Sequence, residues 1–170
     1  NPLDDQCGDC QACIQACPSQ CIKDNRTIQA YLCNSFQSIE NRGIILLEQR
    51  DSLRNWVFGC DICQLVCPYN HQEYSNQTYQ TLGIINVIES GEWLEHGTGT
   101  ISDEVISQTA LNRIRTAGIL RNSIIAIGNL KMEQYMGFLH KIYESHENPE
   151  MRSLSLWAIR RITKSHIRLF

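Results

Sequence analysis

The sequence predicts an α+β chain of two unlike parts, a small cysteine-rich domain over residues 1–75 and an all-α helical-repeat domain over residues 76–170. Three observations predict it. All nine cysteines fall between positions 7 and 67, and the 103 residues that follow contain none. A polar stretch over residues 70–80 (NHQEYSNQTYQ) comes after the last cysteine and reads as a boundary. Beyond it, apolar residues recur at three- and four-residue spacing, the period of amphipathic helices. Charge divides along the same line. Residues 1–75 hold 5 basic and 9 acidic groups, residues 76–112 hold none and 5, and residues 113–170 hold 10 and 4. The net charge of −3 excludes a uniformly basic nucleic-acid binder while leaving room for a basic patch near the carboxy terminus. No run approaches the roughly 18 apolar residues of a membrane span. The polar start Asn1-Pro2-Leu3-Asp4-Asp5 lacks the layout of a signal peptide, so a cytoplasmic monomer without membrane association is expected. An initial Asn in place of Met suggests a piece of a longer polypeptide.

Taken in order, Cys21-Ile22-Lys23 and Thr27-Ile28-Gln29 flank Asp24-Asn25-Arg26 and read as a small hairpin with turn-forming residues at its tip. Residues 51–58 and 61–66 read as short helices, each opened by an Asp in capping position. In the second part, Ser102-Asp103-Glu104 opens a helical run through Leu111, Ile114, Ile119, Leu120, Ile124, Ile127 and Leu130, interrupted by a break at Gly118. Tyr135, Phe138, Leu139 and Ile142 give the same period over residues 135–143, and residues 151–167 give it again after Asn148-Pro149. Ala126-Ile127 is echoed by Ala158-Ile159 at an offset of 32 residues, near the period of helix-pair repeats. An irregular helical bundle is the alternative.

The chemistry lies in the cysteines. Nine is an odd count, and without an export signal a disulfide scaffold is disfavoured. Cys7-x2-Cys10-x2-Cys13-x3-Cys17-Pro18 is the bacterial two-cluster ferredoxin run, in which three thiolates wrap one iron–sulfur core and the fourth turns away to a second. Zinc is the competing reading, but four-thiolate zinc sites usually use two well-separated Cys-x2-Cys pairs. Cys60-x2-Cys63-x3-Cys67-Pro68 matches the last three cysteines of the same run, so Cys33 must supply the missing ligand. The exchange of fourth ligands then assigns Cys7, Cys10, Cys13 and Cys67 to one [4Fe-4S] cluster, and Cys17, Cys33, Cys60 and Cys63 to the other. Cys21 is left over and reads as a small buried apolar side chain. Two clusters with every corner held by protein imply electron transfer. No catalytic residue is expected on this chain, which shows no Ser-His-Asp set, phosphate loop or paired carboxylates. The five histidines, His71, His96, His140, His146 and His166, are scattered and read as packing or surface residues.

These motifs, together with Ala30-x2-Cys33-x-Ser35, Ser38-Ile39-Glu40-Asn41-Arg42-Gly43 and Phe58-Gly59-Cys60-Asp61-x-Cys63-Gln64-x2-Cys67-Pro68-Tyr69-Asn70, resemble the tRNA epoxyqueuosine reductases. Thr109-Ala110-Leu111, Gly118-Ile119-Leu120-Arg121-Asn122 and Ala126-Ile127-Gly128-Asn129 are similar to that family's HEAT-like carboxy-terminal region. The resemblance implies a cobalamin-dependent oxidoreductase with two [4Fe-4S] clusters that reduces epoxyqueuosine to queuosine at the tRNA wobble position. It also implies that the cobalamin domain and the acidic catalytic residue lie in an amino-terminal domain absent from this chain. By the same resemblance Ser35 and Asp61 face the corrin and the substrate. Two stretches depart from the family pattern, Ser19-Gln20-Cys21 and residues 34–38 (NSFQS), the second in the strip expected to touch cofactor and substrate.

Two other functions compete. One is a two-cluster ferredoxin module of another cobalamin-dependent reductase, such as a reductive dehalogenase. The other is a non-enzymatic helical-repeat binding module in which the clusters are structural. A tRNA partner would use the tail, where Arg160, Lys164 and Arg168 recur at four-residue spacing in a segment without acidic residues. A solvated helix face is the plain alternative. The electron donor has no signature in the sequence.

Overall fold

The carboxy-terminal helices carry the core, and the cysteine-rich part is fastened to them through two of its own short helices. A computed structural model of the chain describes residues 6–70 and 109–167. The first part holds α1 (Ala12–Ala16), α2 (Asn34–Ile39), α3 (Leu47–Leu53) and α4 (Ile62–Leu65). The second holds α5 (Arg115–Leu130), α6 (Met136–Ser145) and α7 (Pro149–Ile167). Helix α7 packs against both α5 and α6, while α2 and α3 pack on α5. Among the described residues no helix is long and apolar enough to cross a membrane.

Helical periodicity explains α6 and α7. Leu139 and Ile142 bury one face of α6, and Met151, Leu154, Ala158, Ile159 and Ile162 bury one face of α7. Ser155 lies on that same face, fully buried, and donates to the Leu139 carbonyl at 2.7 Å. Gly128 lets α5 and α7 approach closely. A Cβ there would stand 2.7 Å from the Trp157 ring and 3.1 Å from the Ala158 Cβ.

Four expectations are corrected. Among the described residues there is no β-strand, and the hairpin of residues 21–29 closes with a single antiparallel bridge, Ile22 to Ile28. Its arms are too short for a ladder, since Arg26 at φ +60 folds the chain back immediately. The helix expected over residues 51–58 spans Leu47–Leu53, so Asp51 lies inside it. Burial of Ile45 and Leu53 places this helix, and Arg54 at φ +51 ends it. Asp61 precedes α4 without a side-chain capping bond. Gly118 is no break, because α5 runs through it and the missing side chain accommodates Ile114, whose Cγ1 lies 2.6 Å from where a Cβ would be. The helix start at residues 102–104 and the boundary over residues 71–80 lie outside the described residues.

Three polar side chains of α5 tie the two parts together. Arg121, 4% exposed, donates to the carbonyls of Gln37, Asn41 and Gly43 at 2.7–2.9 Å. The Gln37 carbonyl lies in the last turn of α2, whose carbonyls lack intrahelical partners, and Asn41 and Gly43 belong to the chain that follows the helix. Burial, then the nearby Arg42, pull the Arg121 guanidinium down to about 10, so it remains a cation at neutral pH. Asn122 donates to the carbonyls of Ser38 and Val57 at 2.9 and 2.7 Å. Asn129 donates to those of Arg50 and Arg54, at the end of α3.

Candidate metal centre

The cysteines line two adjoining cavities. The first, about 270 Å³, is lined by Cys7, Cys10, Cys13, Cys63 and Cys67 with Ala12 and Pro68. The second, about 40 Å³, is lined by Cys17, Cys21, Cys33, Cys60 and Cys63 with Pro18, Asn34 and Ile62. Ile22 and Ile28, the bridged pair of the hairpin, appear in the walls of both, so the hairpin stands between them.

Local backbone chemistry sets each thiol. Cys10 closes a turn on Cys7, its N–H reaching the Cys7 carbonyl at 2.9 Å, and α1 carries Cys13. Cys17 ends α1 in an extended conformation, ψ 113, as the following proline requires. Cys33 likewise precedes α2 in an extended conformation. Gly59 at φ +74 makes the left-handed turn that presents Cys60, and its N–H is held by the Ser38 hydroxyl at 3.0 Å. Packing of α1 on α4 brings the two motifs together. Two staples secure them: Tyr69 donates to the Gln6 carbonyl at 2.6 Å, and Arg26 to the Gly8 carbonyl at 2.5 Å.

No disulfide joins any of the nine cysteines, and among the described residues no three Cys, His, Asp or Glu side chains converge as a single metal ion demands. Ligands of one zinc ion would crowd within about 3.8 Å of each other, given Zn–S bonds near 2.3 Å. Thiols spread around two largely apolar cavities instead suit multi-iron cores, so the donor set fits iron–sulfur clusters. Burial pushes the Cys60 thiol up. Burial also raises Cys17, but hydrogen bonding with Ser19 and Cys21 outweighs it and brings that thiol down to about 7. Burial pushes Cys21 up to about 12. Cys17 Sγ and Cys21 Sγ lie 3.5 Å apart, within hydrogen-bonding contact.

Ser35 is half-buried at the start of α2 and Asp61 is exposed before α4; neither lines the two cysteine cavities. The divergent strip is spent on structure. Asn34 donates to the Ser52 carbonyl at 2.5 Å and accepts from its hydroxyl at 2.9 Å, Gln37 donates to the Tyr31 carbonyl, and Ser38 holds Gly59. His140 is exposed, and His146 accepts the Asn148 N–H at 3.1 Å. Arg160 and Lys164 border a groove of about 500 Å³ with Arg50, Trp157 and Arg161, whereas Arg168 lies outside the described residues. Arg50 and Arg161 both lie over Trp157, at 5.0 and 5.6 Å from its centroid, and Arg161 pairs with Asp51 at 2.9 Å. Two functional features escaped the sequence reading: the Cys17–Cys21 pair, signalled only by the cysteine count, and the α5 latch, whose partners are main-chain groups.

Residues 6–70 match a family model described as a 4Fe-4S double cluster binding domain. The epoxyqueuosine reductase of Francisella cf. novicida (strain Fx1) is 38% identical over 135 residues, which cover 76% of this chain and 36% of that protein. The structure of epoxyqueuosine reductase from Streptococcus thermophilus superposes with a TM-score of 0.76 at 27% identity, covering 96% of this chain and 43% of that one. A crystal structure of epoxyqueuosine reductase with an epoxyqueuosine-modified tRNA stem loop shares the fold, with a TM-score of 0.74 at 24% identity. Fold and site thus define an iron–sulfur protein whose double-cluster segment is fastened to a helical domain. The chain belongs to the epoxyqueuosine reductase family, and it spans less than half the length of these relatives.

Proposed function

We propose that this chain is the electron-relay and tRNA-docking portion of a cobalamin-dependent epoxyqueuosine reductase acting in the cytoplasm. The pair of cysteine-lined cavities on either side of the Ile22–Ile28 bridge carries the reading. A ferredoxin-like two-cluster domain over residues 1–75 and a HEAT-like domain over residues 76–170 are its parts. Bound clusters supply one-electron transfer. Cys7, Cys10, Cys13 and Cys67 would hold the first, and Cys17, Cys33, Cys60 and Cys63 the second. Ile22 and Ile28, which line both cavities, put apolar side chains between the two sites. Ser35 and Asp61, outside the cysteine cavities, would by the family resemblance face a corrin and substrate supplied from beyond this chain.

Anaerobically loaded protein should contain about eight iron and eight sulfide per chain, with visible absorption bleached by dithionite. Stoichiometric zinc without sulfide would overturn the reading. Cys67→Ser should abolish the cluster held by Cys7, Cys10 and Cys13 and leave the other, halving the iron. Loss of the opposite cluster, resolved by paramagnetic resonance of the remaining one, would refute the partition. Faster reoxidation of the reduced clusters when cobalamin is added separates a relay from clusters that only support a binding module.

For docking, Arg160 and Lys164, exposed along the groove beside Trp157, would meet phosphates together with Arg168, four residues further along the sequence. The likeness of fold to the reductase bound to a tRNA stem loop supports it. Phosphate contacts make affinity fall with salt at a slope of about −0.7 to −0.9 per charge neutralised. Replacing all three with Gln should flatten the slope for a tRNA stem loop by about two units while leaving iron content unchanged. An unaltered slope would return these residues to a solvated helix face.

A further inference from the structure

With Cys63, which borders both cavities, counted in the second, that cavity has one cysteine more than a four-iron cluster needs. Five line it: Cys17, Cys21, Cys33, Cys60 and Cys63. Of these, Cys17 and Cys21 lie 3.5 Å apart, which is sulfur–sulfur contact. Thiolates on different corners of a cube diverge from it, so two in mutual contact cannot each hold an iron. Both line the cavity, and Cys17 is the one in the Cys-x2-Cys-x2-Cys-x3-Cys-Pro register of cluster ligands. Cys21 is 2% exposed, and its backbone is held by the Gln29 N–H, which donates to the Cys21 carbonyl at 2.9 Å beside the Ile22–Ile28 bridge. Ser19 Oγ also lies near the Cys17 sulfur, 3.6 Å from Sγ.

We propose that Cys21 is a positioning residue whose S–H donates to the Cys17 sulfur and raises the reduction potential of the second cluster. The inference rests on the two-cluster reading. Reduction adds one electron to the cluster and increases the negative charge on its ligand sulfurs. A donor fixed on one of those sulfurs stabilises the reduced form more than the oxidised form. The electron comes from the external reductant, Cys21 keeps its proton, and no bond to Cys17 forms or breaks.

The test is an anaerobic potentiometric titration of the cluster-loaded chain, followed by paramagnetic resonance with titanium(III) citrate as reductant. Parent, Cys21→Ala and Cys21→Ser are compared, with iron and sulfide counted in each. Loss of a single hydrogen bond changes an equilibrium about fivefold. For a one-electron couple, tenfold corresponds to 59 mV, so Cys21→Ala should lower one of the two potentials by about 40 mV. Cys21→Ser retains a hydroxyl donor and should restore at least half of that shift. All three proteins should keep eight irons. Potentials unchanged in Cys21→Ala, equal shifts of both couples, or no recovery in Cys21→Ser would overturn the role. Loss of four irons in Cys21→Ala would overturn it in favour of a ligand. Fewer than eight irons in the parent chain would instead count against the two-cluster reading itself.

Discussion

Stripping iron from the loaded chain with a chelator, under anaerobic reducing conditions, should release residues 6–33 and 60–70 to exchange their amide hydrogens at open-chain rates. Residues 34–57 and helices α5–α7 should keep their protection. The division follows from where apolar side chains are buried. Between residues 6 and 33 only Cys17 and Cys21 are buried, and between residues 60 and 70 none is. Their backbone order therefore depends on the ligand bonds, because a site absent from the unfolded chain turns binding energy into folding energy, on the order of 10 kcal/mol for structural metals. Ile45 and Leu53, by contrast, belong to the same apolar cluster as Ile114, Ile124 and Leu139. Arg121, Asn122 and Asn129 hold that intervening segment by its carbonyls whether or not iron is present. Circular dichroism would register little, since α1 and α4 contribute only 5 and 4 residues of helix. Hydrogen exchange read by peptide is the discriminating measurement. Cooperative loss of protection in α5–α7, or full retention in residues 12–16, would contradict it.

How much of this was legible depends on the range of the forces involved. Ligand spacing is local: three thiolates around one core require neighbouring positions in sequence, so the motif at Cys7–Cys17 announces itself. The faces of α6 and α7 were equally plain, because Leu139, Ile142, Leu154 and Ala158 follow the helical period. Helix α3 was misplaced for the opposite reason. Asp51 resembles a cap, but the helix is set by Ile45 and Leu53 packing beneath α5, a contact made across more than sixty residues. Gly118 resembled a break, yet its role is to make room for Ile114 within a continuous helix. The expected β component reduced to one bridge, since arms of three residues cannot sustain a ladder. Least legible of all were Arg121 and Asn122. A polar pair beside apolar residues reads as a solvent-facing stripe, and nothing in the sequence marks main-chain carbonyls as its partners.

Asn122→Ala should therefore be among the most damaging single changes outside the cysteines. Asn122 is 1% exposed, and its amide nitrogen donates to two carbonyls, Ser38 at 2.9 Å and Val57 at 2.7 Å. Removing the amide leaves the buried Ser38 carbonyl without this donor, at about 1–3 kcal/mol, and the part-buried Val57 carbonyl at a smaller cost. Against a domain stability of about 5–15 kcal/mol this is a large fraction. The damage should reach the metal centre as well. Ser38 and Val57 bracket the Gly59 turn, and the Ser38 hydroxyl accepts from the Gly59 N–H at 3.0 Å immediately before Cys60. Urea unfolding of the loaded chain, followed at 222 nm, should show a lower midpoint with an unchanged slope. The cluster held by Cys17, Cys33, Cys60 and Cys63 should be lost to a chelator faster than its neighbour. Asn122→Asp should be worse still at neutral pH, because a carboxylate offers only acceptors to two carbonyls. Burial and those carbonyls would raise its folded-state pKa above the unfolded value of about 3.9. Protonation then favours the folded state, so this variant should gain stability relative to Asn122→Ala as pH falls through the raised pKa and lose it as pH rises. An unfolding free energy for Asn122→Ala within about 0.5 kcal/mol of the parent's would mean that water replaces the amide and that the latch does not govern how the cluster segment sits on α5.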